Sequence, residues 1–406
     1  MTFTFSDTTL DNGLRIVAEH ADSAVTAAVG FFVKTGARDE PRPLMGMSHF
    51  LEHMVFKGTP KLSAEEVDLA FDSIGAEHNA FTSGEMTAYW GAGLPEVLGE
   101  LQDTLAEILK PSLRQEDFDN EKKVILEEIA MYDDQPFWVL YENAMQHYYG
   151  DHPLGHRVLG TNQTVQNMQR DSLMEYFIQR YSANNIIVAL AGKLNFESMV
   201  SRIESHCGEW DRSDVSRDYA PFERHGGEFK QTIEDLHQHY LMMVMPSPSF
   251  QDDRKYAAAA LGSILGGGDG SRLHWALVDA GLAEAASASA DASDKYGEQL
   301  AWAVCDKENA NQVAEIMRKE MEGVVSSLTK DDLDRVVAKA GTGAAIGAER
   351  PSGRMQRLGS MMITNSEYVS LEEELGYIES LTIKKLAEVA EEFPWAPLLT
   401  ATTVDQ

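Results

Sequence analysis

The order of periodicities along the first half of the chain limits the fold more than any single residue does. TFSDTTL and LRIVAEH flank an Asn12-Gly13 turn and read as a β-hairpin, and TAAVGFFVKTG reads as the next strand. Helical spacing follows over about residues 45–57, 63–75, 95–109, 115–133 and 136–149, then near 171–180, before the strand NNIIVALAG at 184–192. Short strands set among helices, without regular strand-helix-strand alternation, predict an α+β layer structure. At 406 residues the chain exceeds one usual core, so two domains are expected. The polar stretch GEWDRSDVSRDYAPFERHGGE, with Pro221 and Gly226-Gly227, is the expected linker. It places an N-terminal domain at 1–212, the linker at 213–227 and a C-terminal domain at 228–406. After it, strand-like FKQTIEDLHQHYLMMVMPSP and helix-like DRKYAAAALGSILGGG weakly echo the order of the first half.

Chemistry concentrates at His49, Glu52 and His53, which stand as HFLEH inside MGMSHFLEHMVFKGTP. On a helix the two imidazoles share one face, and the carboxylate beside the second reaches the same point in space. Two imidazoles and a base suit a zinc hydrolase. The same five residues also suit two histidines satisfied by backbone carbonyls on an amphipathic helix. Cys207 and Cys305 lie far from the cluster and from each other, which excludes a thiolate site, so a third ligand must be Asp, Glu or His from another element. In EDFDNEKKVILEEIAMYDDQP, residues Glu121, Val124, Ile125 and Glu128 fall at i, i+3, i+4 and i+7, placing two carboxylates on an otherwise apolar face. Glu127 points with Lys123 and Asp134 to the opposite side. A buried carboxylate needs a partner that a cation can supply. The stripe is short, and both acids read equally well as solvated.

Four segments in order carry a resemblance. TGARDEPRPLMGMSHFLEHMVFKGT, HNAFTSGEMTAYW, NEKKVILEEI and HPLGHRVLGT resemble the inverted-zincin peptidases of the pitrilysin and mitochondrial-processing-peptidase family, for which H-x-x-E-H is the signature. The match runs through about the first half of the chain. It implies two similar tandem domains, each a mainly antiparallel sheet with helices packed on one face. It implies one Zn²⁺ per chain held by His49, His53 and Glu128, with Glu52 as general base and Glu121 orienting a ligating imidazole. It further implies that Asn79, Ala80 and Thr82 lie on an edge strand to which a peptide adds as an extra strand. The implied activity is endopeptidase cleavage of short or unfolded peptides in an enclosed clamshell chamber. There the metal acidifies a water and Glu52 takes its proton.

One stretch departs from the family. Active members commonly carry an Arg and a Tyr after a glycine-rich loop, where they hold the substrate carbonyl; here Val278 and Glu284 occupy about those places. A paired arrangement follows as an expectation, a homodimer being the simpler form and a heterodimer with an Arg- and Tyr-bearing sibling the alternative. A non-catalytic subunit of the same fold is the competing function class, against which all five positions of the zinc half stand intact. A metal-dependent hydrolase of another bond, or a peptide-binding chaperone, is the third.

The remaining features exclude more than they specify. A net charge of −31 rules out a nucleic-acid binder, which needs clustered Lys and Arg. The acids are spread along the whole chain, which favours a whole-surface adaptation over an acidic chamber for basic peptides. No run nears the roughly 20 apolar residues that cross a bilayer, the start MTFTFSDTTLDNG is no signal peptide, and two distant cysteines fit a reducing cytoplasm. LGGGDGSRLHWAL lacks the lysine and hydroxyl of a phosphate-binding loop, and His237 with His239 has no acidic third partner.

Overall fold

The computed structural model describes residues 3–405. Its first sheet contains β1 (Thr4–Thr9), β2 (Arg15–His20), β3 (Ala27–Val33), β4 (Glu77–Thr82), β5 (Thr87–Gly93) and β6 (Ile186–Gly192), in the spatial order β1-β2-β6-β3-β5-β4. Only β2 and β6 pair in parallel. The β1–β2 hairpin forms as the Asn-Gly turn requires, with Thr9 opposite Arg15. At the far edge, β4 pairs with β5 alone among the described residues. The helices of the first half are α1 (Met47–Val55), α2 (Ala64–Ile74), α3 (Leu98–Ile108), α4 (Gln115–Asp133), α5 (Pro136–Tyr149), α6 (Asn162–Asn167), α7 (Arg170–Arg180) and α8 (Phe196–Cys207).

The second sheet contains β7 (Gly227–Ile233), β8 (His239–Pro246), β9 (Ala285–Ser293), β10 (Tyr296–Cys305) and β11 (Leu399–Asp405), ordered β7-β11-β8-β10-β9. Again one pair, β7 with β11, is parallel and the rest are antiparallel. This reproduces the run β2-β6-β3-β5-β4, so the weak echo in the sequence is a repeated sheet topology. FKQTIEDLHQHYLMMVMPSP proves to be two strands, with His237 in the turn ahead of β8. Helices α9 (Lys255–Gly266), α10 (Ala310–Gly323), α11 (Lys330–Gly347), α12 (Pro351–Asn365), α13 (Leu371–Glu379) and α14 (Ile383–Glu392) complete the chain.

The chain packs as two compact units. One runs through Ala130 and adds His156–Asp218 and Ile346–Tyr368; the other holds Met131–Gly155, Tyr219–Ala345 and the chain from Val369. One changeover, Asp218 to Tyr219, falls inside the expected linker 213–227, but two segments cross the expected halves: α5 belongs with the second sheet and α12 with the first. The central strands supply the reason. All seven residues of β3 are buried, and alternate side chains of a strand point to opposite faces, so both faces of the sheet need cover. Val29 and Phe31 join a core with Phe50, Leu51, Leu101 and Leu105. On the other face Gly30 and Phe32 meet α12, where a Cβ on Gly359 would lie 2.2 Å from the Phe32 ring. Glycine at 359 lets the helix approach that closely. In the second sheet Leu241, Met243 and Met245 pack with Leu261, Val313 and Leu386, while Met242 and Val244 pack with Leu140 and Ala144 of α5.

Candidate metal centre

Helix α1 forms because Met47, Phe50, Leu51 and Met54 recur at i, i+3, i+4 and i+7, and all four are buried in the first core. His49 and His53 then fall together on the adjoining stripe, their rings 4.6 Å apart at 63°. The helix begins at Gly46, which has φ 99° and whose Cβ would lie 2.6 Å from the Leu159 carbonyl oxygen, so only glycine fits. No side chain of the first turn caps it. Instead the buried carboxylate of Glu40 accepts from the Gly46 N–H at 2.7 Å and from the Ser48 N–H at 2.6 Å. Burial pushes the Glu40 carboxyl up to about 8, against these two donors, which favour its charged form. Tyr176 OH joins Ser48 Oγ (3.0 Å) to Thr35 Oγ1 (2.7 Å) and ties α1 to the strand end below it.

Helix α4 buries Phe118, Glu121, Ile125 and Ile129 and leaves Glu127 exposed. Val124, expected on the inner face, is 47% exposed; the stripe turns away from it toward Phe118 and Ile129. Glu128 is partly buried, and its Oε2 lies 3.7 Å from Nε2 of His49 and 3.7 Å from Nε2 of His53. One ligand atom from each of these three residues falls within 4.8 Å of the others, the one such group of three among the described residues.

The donor set fits a metal ion on several grounds. Two donors about 2.1 Å from one ion stand roughly 3.4–3.6 Å apart, close to the spacing found. Burial, and His53 nearby, depress the His49 pKa to about 3, so its imidazole is neutral and free to donate a lone pair. His49 faces Glu128 through Nε2, while its Nδ1, on the other side of the ring, is buried with no hydrogen-bond partner among the described residues. His53 Nδ1 is bonded to Glu121 Oε1 at 2.7 Å, which leaves Nε2 facing Glu128, and Glu121 Oε2 takes Lys57 Nζ at 2.7 Å. Burial alone would raise the Glu121 carboxyl, but the bonds from His53 and Lys57 hold it below the ordinary range. Burial would likewise lower His53, and Glu121 raises it instead.

Glu52 sits beside this group without joining it. Burial raises its carboxyl pKa, offset in part by a hydrogen bond that Thr82 Oγ1 donates to Oε2 at 2.6 Å. The structure thus gathers His49, Glu52, His53, Glu121, Glu128 and Thr82. Asn79 and Ala80 lie farther along β4, the open edge strand, where Asn79 Oδ1 accepts from the Ala80 N–H. Val278 falls in a π-helical turn, His274–Val278, and Glu284 is exposed just before β9, accepting from Gln238. Sequence reading missed Glu40, Lys57 and Tyr176, whose partners are backbone N–H groups or residues distant in the chain. Only the unusual run of charge in ARDEPRP hinted at the first.

Two histidines and a helix-borne carboxylate thus converge next to a glutamate, the arrangement that the H-x-x-E-H signature of the inverted-zincin family describes. Residues 15–162 match the family described as Insulinase (Peptidase family M16), and residues 167–340 match the Peptidase M16 inactive domain. An uncharacterised zinc protease of Mycobacterium tuberculosis is 32% identical over 398 residues, covering 94% of this chain and 89% of its own. One from Bacillus subtilis is 28% identical over 385 residues, covering 94% of each. The crystal structure of a protease from Helicobacter pylori superposes with a TM-score of 0.92 at 22% identity, with both chains fully covered. A peptidase M16 inactive domain from Pseudomonas fluorescens gives 0.90 at 17% identity, covering 99% of this chain and 98% of its own. The chain belongs to peptidase family M16. Among the described residues no helix is long and apolar enough to cross a membrane.

Proposed function

We propose that this chain is a zinc-dependent endopeptidase acting on short or unfolded peptides. The observation that carries the reading is the convergence of His49, His53 and Glu128 donors beside a separate, partly buried carboxylate, Glu52. The relatives described as zinc proteases support zinc as the metal. When bound, zinc supplies Lewis acidity toward a scissile carbonyl and a water of lowered pKa. Glu52 would accept a proton from the attacking water and return it to the leaving amine, a role helped by the burial that raises its pKa. The unpaired edge of β4 takes the peptide as an added strand through main-chain hydrogen bonds, which requires an extended substrate and so favours short or unfolded chains.

The test is digestion of a quenched fluorescent peptide. Cleavage is expected to stop with a chelator, return with added Zn²⁺ and be lost in Glu52→Gln. Undiminished cleavage by Glu52→Gln would overturn the mechanism.

A further inference from the structure

We infer that Thr82, besides ending the strand that receives the peptide, is the positioning residue for the Glu52 base, holding one carboxylate oxygen so that the other faces the reacting water. The inference rests on the peptidase reading above and adds a role for the Thr82 side chain.

The hydrogen-bond geometry carries it. Thr82 Oγ1 donates to Glu52 Oε2 at 2.6 Å, a length typical of a hydroxyl on an ionised carboxylate. A hydroxyl has one hydrogen to give. Its other neighbour, Thr87 Oγ1, is 3.5 Å away, and Thr87 itself spends its hydrogen on the Thr35 carbonyl oxygen at 3.0 Å. Thr87 can therefore only accept, and the short bond to Glu52 is where the Thr82 hydrogen goes. Among the described residues Glu52 Oε1 takes no hydrogen bond. A glutamate has three rotatable side-chain bonds, and anchoring one oxygen removes most of that freedom. The free oxygen is then aimed by the fold.

The backbone gives this contact a second consequence. Thr82 is the last residue of β4 and pairs with Thr87 in the register that ends the β4–β5 ladder. The strand that docks the peptide thus terminates on the residue that orients the base. A peptide added along β4 and the proton acceptor are referred to one rigid element, the condition under which proximity effects are largest. The methyl of Thr82 has no part in this, so serine suffices chemically and valine does not.

The experiment compares wild type, Thr82→Val and Thr82→Ser in cleavage of a quenched fluorescent peptide, alongside zinc affinity measured by competition with a chromophoric chelator. Thr82→Val is expected to lower kcat about 10- to 100-fold, with KM within about twofold of wild type and zinc affinity unchanged. Thr82→Ser is expected to restore most of kcat. Thr82→Ala, which adds no bulk, carries the same expectation if valine prevents folding. A wild-type kcat in Thr82→Val or Thr82→Ala overturns the inference. So does a rise in KM at constant kcat, which would leave Thr82 a substrate contact only, or a serine variant as impaired as the valine one. A wild-type protein that binds no zinc and cleaves no peptide overturns the peptidase reading itself, and is told apart because it appears before any variant is made.

Discussion

Replacing Glu121 by Gln keeps the shape of the side chain and removes one of its two acceptor roles. Glu121 Oε1 bonds His53 Nδ1 at 2.7 Å and Oε2 bonds Lys57 Nζ at 2.7 Å. The amide has one carbonyl oxygen, and its NH₂ repels whichever donor it faces. Lys57 has a side chain 37% exposed and can turn to water, so the carbonyl stays with His53. The imidazole then keeps its orientation and loses an ionised partner. A hydrogen bond to a charged group contributes about 1.5–3 kcal/mol and a neutral one about 1, so the change is about 0.5–2 kcal/mol. At 1.4 kcal/mol per factor of ten this is about a 2- to 30-fold loss of zinc affinity. Glu121→Ala leaves Nδ1 with no acceptor and is expected near about 100-fold, the upper range for losing the partner of a ligating histidine. Chelator competition gives the affinities. Thermal unfolding with and without zinc checks them, since each tenfold loss removes about 1.4 kcal/mol of ligand stabilisation at saturating metal. Glu121→Gln binding zinc within twofold of wild type, or Gln and Ala variants indistinguishable from each other, would refute the reasoning.

The two neighbouring acids of α4 separate cleanly. Glu128→Gln removes the anionic donor and is expected to weaken zinc binding about 100-fold or more, while Glu127→Gln, one residue away and exposed, leaves it unchanged; the reverse order in the same titration would mean the helix face is misassigned. Gly359→Ala tests the packing of α12 on the first sheet: the added Cβ meets the buried Phe32 ring, and overpacking of about 1–3 kcal/mol outweighs the roughly 1 kcal/mol that alanine adds to a helix. The urea midpoint should therefore fall, and a rise would show that the ring has room to move.

Local signals in the sequence reached far into the fold. The hairpin, helices such as 115–133 and 136–149, and strand β6 were legible because turn chemistry, caps and apolar spacing act over a few residues. The expected helix at 45–57 shrank to Met47–Val55 because its start is set by the positive φ of Gly46 and by a carboxylate from outside the helix. Val124 was misplaced because spacing alone fixes a stripe only to within a residue, and packing against the core chose the side. Within the site, residue types singled out His49, Glu52 and His53, and the resemblance of four segments to a known family added Glu121 and Glu128. The bond from Thr82 to Glu52 was hidden, since it joins residues 30 apart through a fold that had to exist first.

By itself the sequence determined the family and the residues that could bind a metal, which depend on residue identity and local spacing, while it carried only a weak echo of the repeated sheet. Tertiary structure decided which helix covers which sheet, and it exchanged α5 and α12 between the sequence halves. The physical reason is that β3 and β8 are apolar on both faces. Each sheet therefore needed a second cover, and nothing local specifies which helix supplies it.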